Sequence, residues 1–303
     1  MTIAAGFVCR DGILLCADSQ YSGFGKEYRD KLFSESTGQA TWAFAIAGDE
    51  DYAKTAIEDS NEAVYAIPPE EQTVWSVRKA IRRAIKRVLD DYKKSDRDLN
   101  QKPEFLIAIS ARNDTRLFSS SDTAFLPIEE PYFGFRGTGA YIGNFIMNSY
   151  TQGTIIRGYT VRQILPVAIH VLSAAKRQDA SCGGGSQFMM VSSGVVRALF
   201  ENSVWEAVDR YILEYEFRSA ALLISLGDLS ITEDEFKERV DSFANTLTKT
   251  REMLAAPGGQ YHRLLNSVSP SLNQSNSTNP QPTTADSSPQ PPSPESPGGS
   301  DES

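Results

Sequence analysis

Short apolar runs alternate along this chain with stretches in which apolar residues recur every three or four positions. The first run, Ile3 to Cys9, meets a turn at Asp11-Gly12 and then a second run, Ile13 to Ala17, which predicts a β-hairpin at the start of the chain. A terminus placed inside a sheet is a fixed point, whereas most termini fray. After a polar loop, Lys31-Leu32-Phe33 predicts a short strand and Thr41 to Ala47 a strong one that stops at Gly48. Asp49, Glu50 and Asp51 then suit the positive end of a helix dipole, with Tyr52, Ala56, Ile57, Ala63 and Val64 on one side of that helix. Pro68-Pro69 punctuates it, and a second helix is predicted to about Lys94 from Val74, Val77, Ile81, Ile85, Val88, Leu89 and Tyr92.

Strands return at Phe105 to Ile109, at Arg116 to Phe118 across an Asn113-Asp114 turn, and at Tyr132 to Phe135. A second helical pair follows: one helix after Gly137-Thr138-Gly139, and one opening at Thr160, with Gln163 placed for a capping box, and running to about Arg177. Beyond Gly183-Gly184-Gly185, residues 187–191 and 195–200 read as a last pair of strands and about 203–254 as helical. Two helical pairs between groups of strands predict an α+β chain, with each pair covering one face of an antiparallel sheet sandwich, a four-layer αββα arrangement. The expected organisation is a first domain over 1–200, a helical extension over 201–265 and a disordered tail over 266–303.

Composition separates the tail from the rest. Residues 266–303 are almost all Ser, Pro, Asn, Gln, Thr and Gly, too little apolar surface to offset the entropy of ordering, and they carry four acids and no base of a formal net charge of −9. An acidic chain is not a general nucleic-acid binder. The exception is a basic cluster in the second helix, Arg78, Lys79, Arg82, Arg83, Lys86 and Arg87, which reads first as a solvated face and second as a phosphate-binding ridge. Three cysteines cannot staple 303 residues, so free thiols in a reducing compartment are expected. The first residues lack a basic region followed by a long apolar stretch, and no run of eighteen apolar residues occurs, which predicts a cytoplasmic protein with no membrane partner.

Taken singly, the chemically interesting residues say little. A threonine behind an initiator Met is common, Asp18 closes an apolar run, Lys31 fits any surface, and the glycines fit ordinary turns. His170 lies in a predicted helix and His262 near the tail, so no Ser/His or Cys/His dyad and no metal cluster is predicted, and no cofactor. Order and spacing carry more. Thr2-Ile3-Ala4-Ala5-Gly6-Phe7-Val8 with Ala17-Asp18-Ser19, then Lys31-Leu32-Phe33, Ala45-Ile46-Ala47-Gly48-Asp49, Phe105-Leu106-Ile107-Ala108, Gly137-Thr138-Gly139-Ala140 and Asp179-Ala180-Ser181-Cys182-Gly183-Gly184 fall in series over residues 2–195. The series resembles the proteasome β-type subunits and their bacterial relatives, including the ancestral β-subunit-like branch.

That resemblance implies an N-terminal-nucleophile hydrolase: a threonine endopeptidase whose nucleophile is Thr2, exposed when Met1 is removed, with its own α-amine as base. A threonine hydroxyl is a weak nucleophile, and an α-amine, with an ordinary pKa of about 7.7–8.0, is the base already near neutrality. Lys31 would disfavour the protonated amine, Asp18 would hold Lys31, and the Gly48 N–H would receive the oxyanion. Thr138, Asp179 and Cys182 match outer positions that orient the amine and its water, with Thr138 and Cys182 standing where serines are usual. Ile46 matches a position shaping the substrate pocket. The resemblance further implies protein or peptide substrates, a self-compartmentalised homo-oligomeric ring or related assembly, and a possible ATP-dependent unfoldase partner. Two other readings stand beside it: an N-terminal-nucleophile amidase acting on a small amide, and a catalytically inactive structural subunit of the same fold, in which an N-terminal extension would bury the nucleophile position.

Overall fold

The computed structural model describes residues 2–22, 26–94, 102–120, 128–151, 158–199, 202–228 and 230–256. The chain divides into one compact unit, Met1–Val268, and a second, Ser269–Ser303. The tail predicted over 266–303 lies outside the described residues.

The opening hairpin forms as its pattern dictates, with β1 at Ala4–Cys9 and β2 at Gly12–Asp18 in antiparallel register from Ala4 opposite Ala17 to Cys9 opposite Gly12. Every residue of β1 is buried, because the alternate side chains serve two different cores. The polar loop that follows holds two short strands the apolar pattern could not reveal, β3 (Gln20–Ser22) and β4 (Lys26–Tyr28), which pair with each other. Then come β5 (Leu32–Ser36) and β6 (Ala40–Ala47), and helices α1 (Glu50–Tyr65) and α2 (Val74–Lys94). Asp49 caps α1 by accepting the Tyr52 N–H at 3.2 Å.

The strands β7 (Glu104–Ala111) and β8 (Asp114–Ser119) close on a two-residue turn, Arg112-Asn113, with φ of 50° and 66°. Two successive positive φ values match the twist of a tight hairpin, and they place the turn one residue earlier than Asn113-Asp114. A short polar strand missed in the sequence, β9 (Ile128–Glu130), pairs with β8, and β10 (Phe133–Arg136) pairs with β1. Helices α3 (Ala140–Thr151) and α4 (Val161–Gln178) follow, the latter with the predicted Thr160–Gln163 capping box formed in both directions. The strands β11 (Ser186–Ser192) and β12 (Val195–Leu199) precede α5 (Asn202–Gly227) and α6 (Glu233–Ala255).

The fold is mixed α+β, with six helices and antiparallel sheets among the described residues. One five-stranded sheet has the order β10-β1-β2-β11-β12, the other β5-β6-β7-β8-β9. Three apolar clusters hold them. Ala4, Val8, Ile13 and Leu15 of the first sheet meet Ala43, Ala45, Leu106 and Leu117 of the second. On its other side the first sheet packs Phe7, Leu14 and Phe188 against Ile142 of α3, Leu165 and Leu172 of α4 and Val208 of α5. The second sheet packs Trp42, Phe44 and Ile107 against Ile57 of α1 and Val77, Ile81 and Ile85 of α2. The helix α6 lies on α5, where the Tyr215 and Phe243 rings sit 5.5 Å apart. No helix among the described residues is long and apolar enough to cross a membrane.

Candidate active site

At the end of β2 next to the start of β1, the chain gathers three polar side chains where the surrounding strands are apolar. Thr2 is 1% exposed, and Asp18 and Lys31 are fully buried. Asp18 is the last residue of β2, so the hairpin register carries it back to the chain start: its own N–H bonds the Ile3 carbonyl at 3.2 Å, and its Oδ1 accepts the Ile3 N–H at 3.1 Å. The Thr2 hydroxyl donates to the same Oδ1, and the Gly183 N–H donates to Oδ2 at 2.8 Å.

Lys31 enters from the other sheet, immediately before β5. Its ammonium lies 2.8 Å from Asp18 Oδ1 and also bonds the Thr2 Oγ1 and the Gln20 carbonyl. The Tyr21 ring sits under it, 4.5 Å from centroid to Nζ, adding the attraction of an aromatic face for a cation. Its backbone is fixed at both ends, with its carbonyl accepting the Ile46 N–H at 3.1 Å and its N–H bonding Gln187 Oε1 at 2.8 Å.

Burial is the largest influence on both ions. It pushes the Asp18 carboxyl above 3.8 and the Lys31 ammonium below 10.5, while each partner pulls the other back toward the charged form. An ammonium donating to a threonine hydroxyl is a setting in which negative charge developing on that oxygen is stabilised.

A second group adjoins the first. Asp179 caps the end of α4, Cys182 lies in the loop to β11, and Thr138 lies between β10 and α3. Burial works against ionisation of Asp179, yet donors from Thr138, Ser181 and Cys182 prevail and hold its carboxyl below 3.8, the Ser181 N–H at 2.8 Å among them. The Thr138 hydroxyl is buried without a hydrogen bond of normal length, but lies close enough to act on both Asp179 and Cys182. Burial, then the charges of Asp18 and Asp179, push the Cys182 thiol up to about 12, so it stays protonated at neutral pH.

Two glycines join the groups. At Gly137 φ is +88°, and a Cβ there would lie 2.1 Å from the Thr2 carbonyl oxygen. At Gly139 a Cβ would meet the Ile3 Cβ at 2.9 Å and Cys182 Sγ at 3.0 Å, and its N–H bonds the Thr2 carbonyl at 3.3 Å. Residue 2 is thus clasped by a backbone loop that no larger residue fits.

Gly48 follows β6 with φ of +84°, a left-handed conformation that favours glycine, and the methyl of its neighbour Ala47 faces Gly137. Ile46 is 1% exposed and points into the cluster beneath α1 with Ala53 and Ile57. Three residues around Lys31 escaped sequence reading: Gln20, Tyr21 and Gln187. Gln187 also donates to Asp30 Oδ1 at 2.7 Å, so one β11 side chain holds the segment leading to Lys31, and an amide at that position gives no sequence signal. Among the described residues there is no cluster of three or more His, Cys, Asp and Glu that could hold a metal ion.

The fold has counterparts among solved structures. It superimposes on Anbu from Hyphomicrobium sp. strain MC1, a Gly-1 mutant, with a TM-score of 0.60 and 14% identity, over 74% of this chain and 100% of the other. The fold is Anbu-like. Anbu, described as an ancestral beta-subunit, from Yersinia bercovieri gives a TM-score of 0.59 at 13% identity over 72% and 97% of the two chains. The helical assembly of the Anbu complex from Pseudomonas aeruginosa gives 0.59 at 16% over 74% and 95%. No family model matches the sequence, and neither does any curated protein. Across so low an identity to Anbu, the likeness is one of fold.

Proposed function

We propose that the protein is a proteasome-like threonine endopeptidase in which Thr2 is the nucleophile after loss of Met1. The observation that carries the reading is the buried contact of the Thr2 hydroxyl with both Lys31 and Asp18. Once freed, the α-amine of Thr2 takes the hydroxyl proton, directly or through one water, as Oγ1 attacks the scissile carbonyl. The protonated amine then passes that proton to the leaving nitrogen, and water hydrolyses the resulting ester. Lys31 stabilises the developing alkoxide and disfavours protonation of the amine, Asp18 keeps Lys31 in place, and the Gly48 N–H receives the oxyanion. Thr138, Asp179 and Cys182 orient the amine and its water, and Ile46 shapes the pocket floor. Beside the site, the packing of both sheets against each other and against helix pairs supports a four-layer αββα arrangement over 1–200, with α5 and α6 as its extension. The helical assembly of Anbu from Pseudomonas aeruginosa supports a self-assembling protein, and the threonine nucleophile proposed above would act on protein or peptide substrates.

One observation favours a second reading, an inactive structural subunit: Thr2 is only 1% exposed. Fluorogenic peptides offered to chain of verified intact mass separate the two. Cleavage lost by at least about a thousandfold in Thr2→Ala supports the peptidase. Inertness of chain shown by mass to lack Met1 overturns it.

A further inference from the structure

Charge on the outer face of the α1–α2 hairpin is sorted, not mixed. The helices run antiparallel, with the Tyr52 and Tyr92 rings 4.7 Å apart near one end and Arg87 bonded to Asp59 at 2.7 Å further along. Exposed Glu58 and Glu62 lie one turn apart on α1, and exposed Lys79, Arg82, Arg83 and Lys86 span two turns of α2. No ion pair engages any of these six among the described residues. An acidic stripe therefore lies beside a basic one, joined only at its edge, where Glu62 and Asp59 both act on Arg87.

A merely solvated face does not explain the aromatics at the turn end of the same hairpin. Tyr65 is 53% and Trp75 50% exposed, and both rings are held in place, Tyr65 through its hydroxyl on Glu35 at 2.8 Å and Trp75 by the Arg78 guanidinium over it at 5.8 Å. Fixed Trp and Tyr beside Arg are the residue types that carry binding energy in protein interfaces. A nucleic acid fits poorly, because its unbroken row of phosphates would meet the Glu58–Glu62 stripe one helix away on a chain of net charge −9.

We propose that this face is a two-fold self-association surface whose occupant is the same face of a second copy. A two-fold axis lying in the face, perpendicular to the line joining the stripes, sets acid over base twice, as an isologous contact requires. The proposal rests on the self-assembly reading above and names the surface that reading needs. Charges placed this way steer and select more than they tighten, so the contact is salt-sensitive.

The test is sedimentation velocity of the full chain at low, physiological and about 1 M salt, where the screening length falls to ~3 Å. Arg82→Glu/Lys86→Glu and Glu58→Lys/Glu62→Lys are each expected to weaken self-association by about a hundredfold, and an equimolar mixture of the two to restore a hetero-dimer. Circular dichroism checks that both variants fold. Wild-type-like association of either variant, or no response of wild type to salt, overturns the surface while leaving assembly standing. Loss in the basic-stripe variant alone also overturns it and points to an acidic partner of another kind. A wild type that stays monomeric overturns surface and assembly together, and the Thr2-dependent peptide assay reports on catalysis separately.

Discussion

Replacing Lys31 by methionine keeps most of the side-chain volume and removes the cation, leaving Asp18 fully buried with its counter-ion gone. Breaking a buried pair costs about 3–5 kcal/mol. Asp18 retains the Thr2 hydroxyl and the Ile3 and Gly183 N–H groups as donors, which places the cost near the lower figure. At roughly 2–4 °C per kcal/mol for a folded part of this size, the Tm should fall by about 6–12 °C. The sign of its pH dependence follows from Asp18, whose folded carboxyl already titrates above 3.8 through burial and would rise further without Lys31. A group whose pKa is raised on folding stabilises fully below its unfolded pKa and loses that contribution as pH climbs through the folded value. The deficit is therefore largest near neutrality and shrinks on acidification. Thermal unfolding at about pH 5 and 7.5 measures it, with the double variant Lys31→Met/Asp18→Asn expected to recover at least half of the loss, since it removes the stranded charge. A Tm within a degree of wild type, a deficit that grows as pH falls, or a double variant no better than the single one would each refute the buried ion pair.

Gly137→Ala should lower kcat by at least about a hundredfold, because its methyl would sit 2.1 Å from the Thr2 carbonyl and a displacement near 1 Å at a nucleophile has that effect; a wild-type rate would sink the clasp. Cys182→Ser should keep or raise peptide turnover, and the native thiol, held protonated up to about 12, should resist alkylation at pH 8; loss of activity comparable to Thr2→Ala would make Cys182 the nucleophile. Asp49→Ala removes the N-cap of α1 and should cost about 1 kcal/mol in denaturant unfolding, with no change pointing to an N-terminus satisfied otherwise. Activity should fall on the acid side with an inflection at or below about 8, the ordinary range of an α-amine, and undiminished cleavage by chain whose α-amine has been acetylated would remove the amine from the role of base.

The elements legible in the sequence are those whose burial imposes a period. Helix α2, with apolar residues every three or four positions, and strand β6, buried throughout and apolar but for Thr41, emerge near their observed bounds. The strands β3, β4 and β9 are three residues each and mostly polar, so their pairing is decided by backbone bonds to neighbours and leaves no apolar signature. The site divides the same way. Thr2, Asp18 and Lys31 could be named because their spacing matches a known series, but Arg29-Asp30-Lys31 has the composition of a surface loop, and the burial of Lys31 comes from contacts 13, 29 and 156 positions away in sequence. Gln20 contributes its main-chain carbonyl, which every residue possesses, so no reading of side chains could single it out.

Among the described residues, the chain start is fastened through the Thr2 carbonyl, which the Gly139 N–H holds, and through its hydroxyl. Both of these fastenings belong to residue 2 itself, so they remain when the preceding methionine is removed. The same arrangement sets a practical rule for the bench: a purification handle fused ahead of residue 1 would block the amine while leaving the protein well folded, giving a convincing but silent preparation, whereas a handle at the opposite terminus spares it.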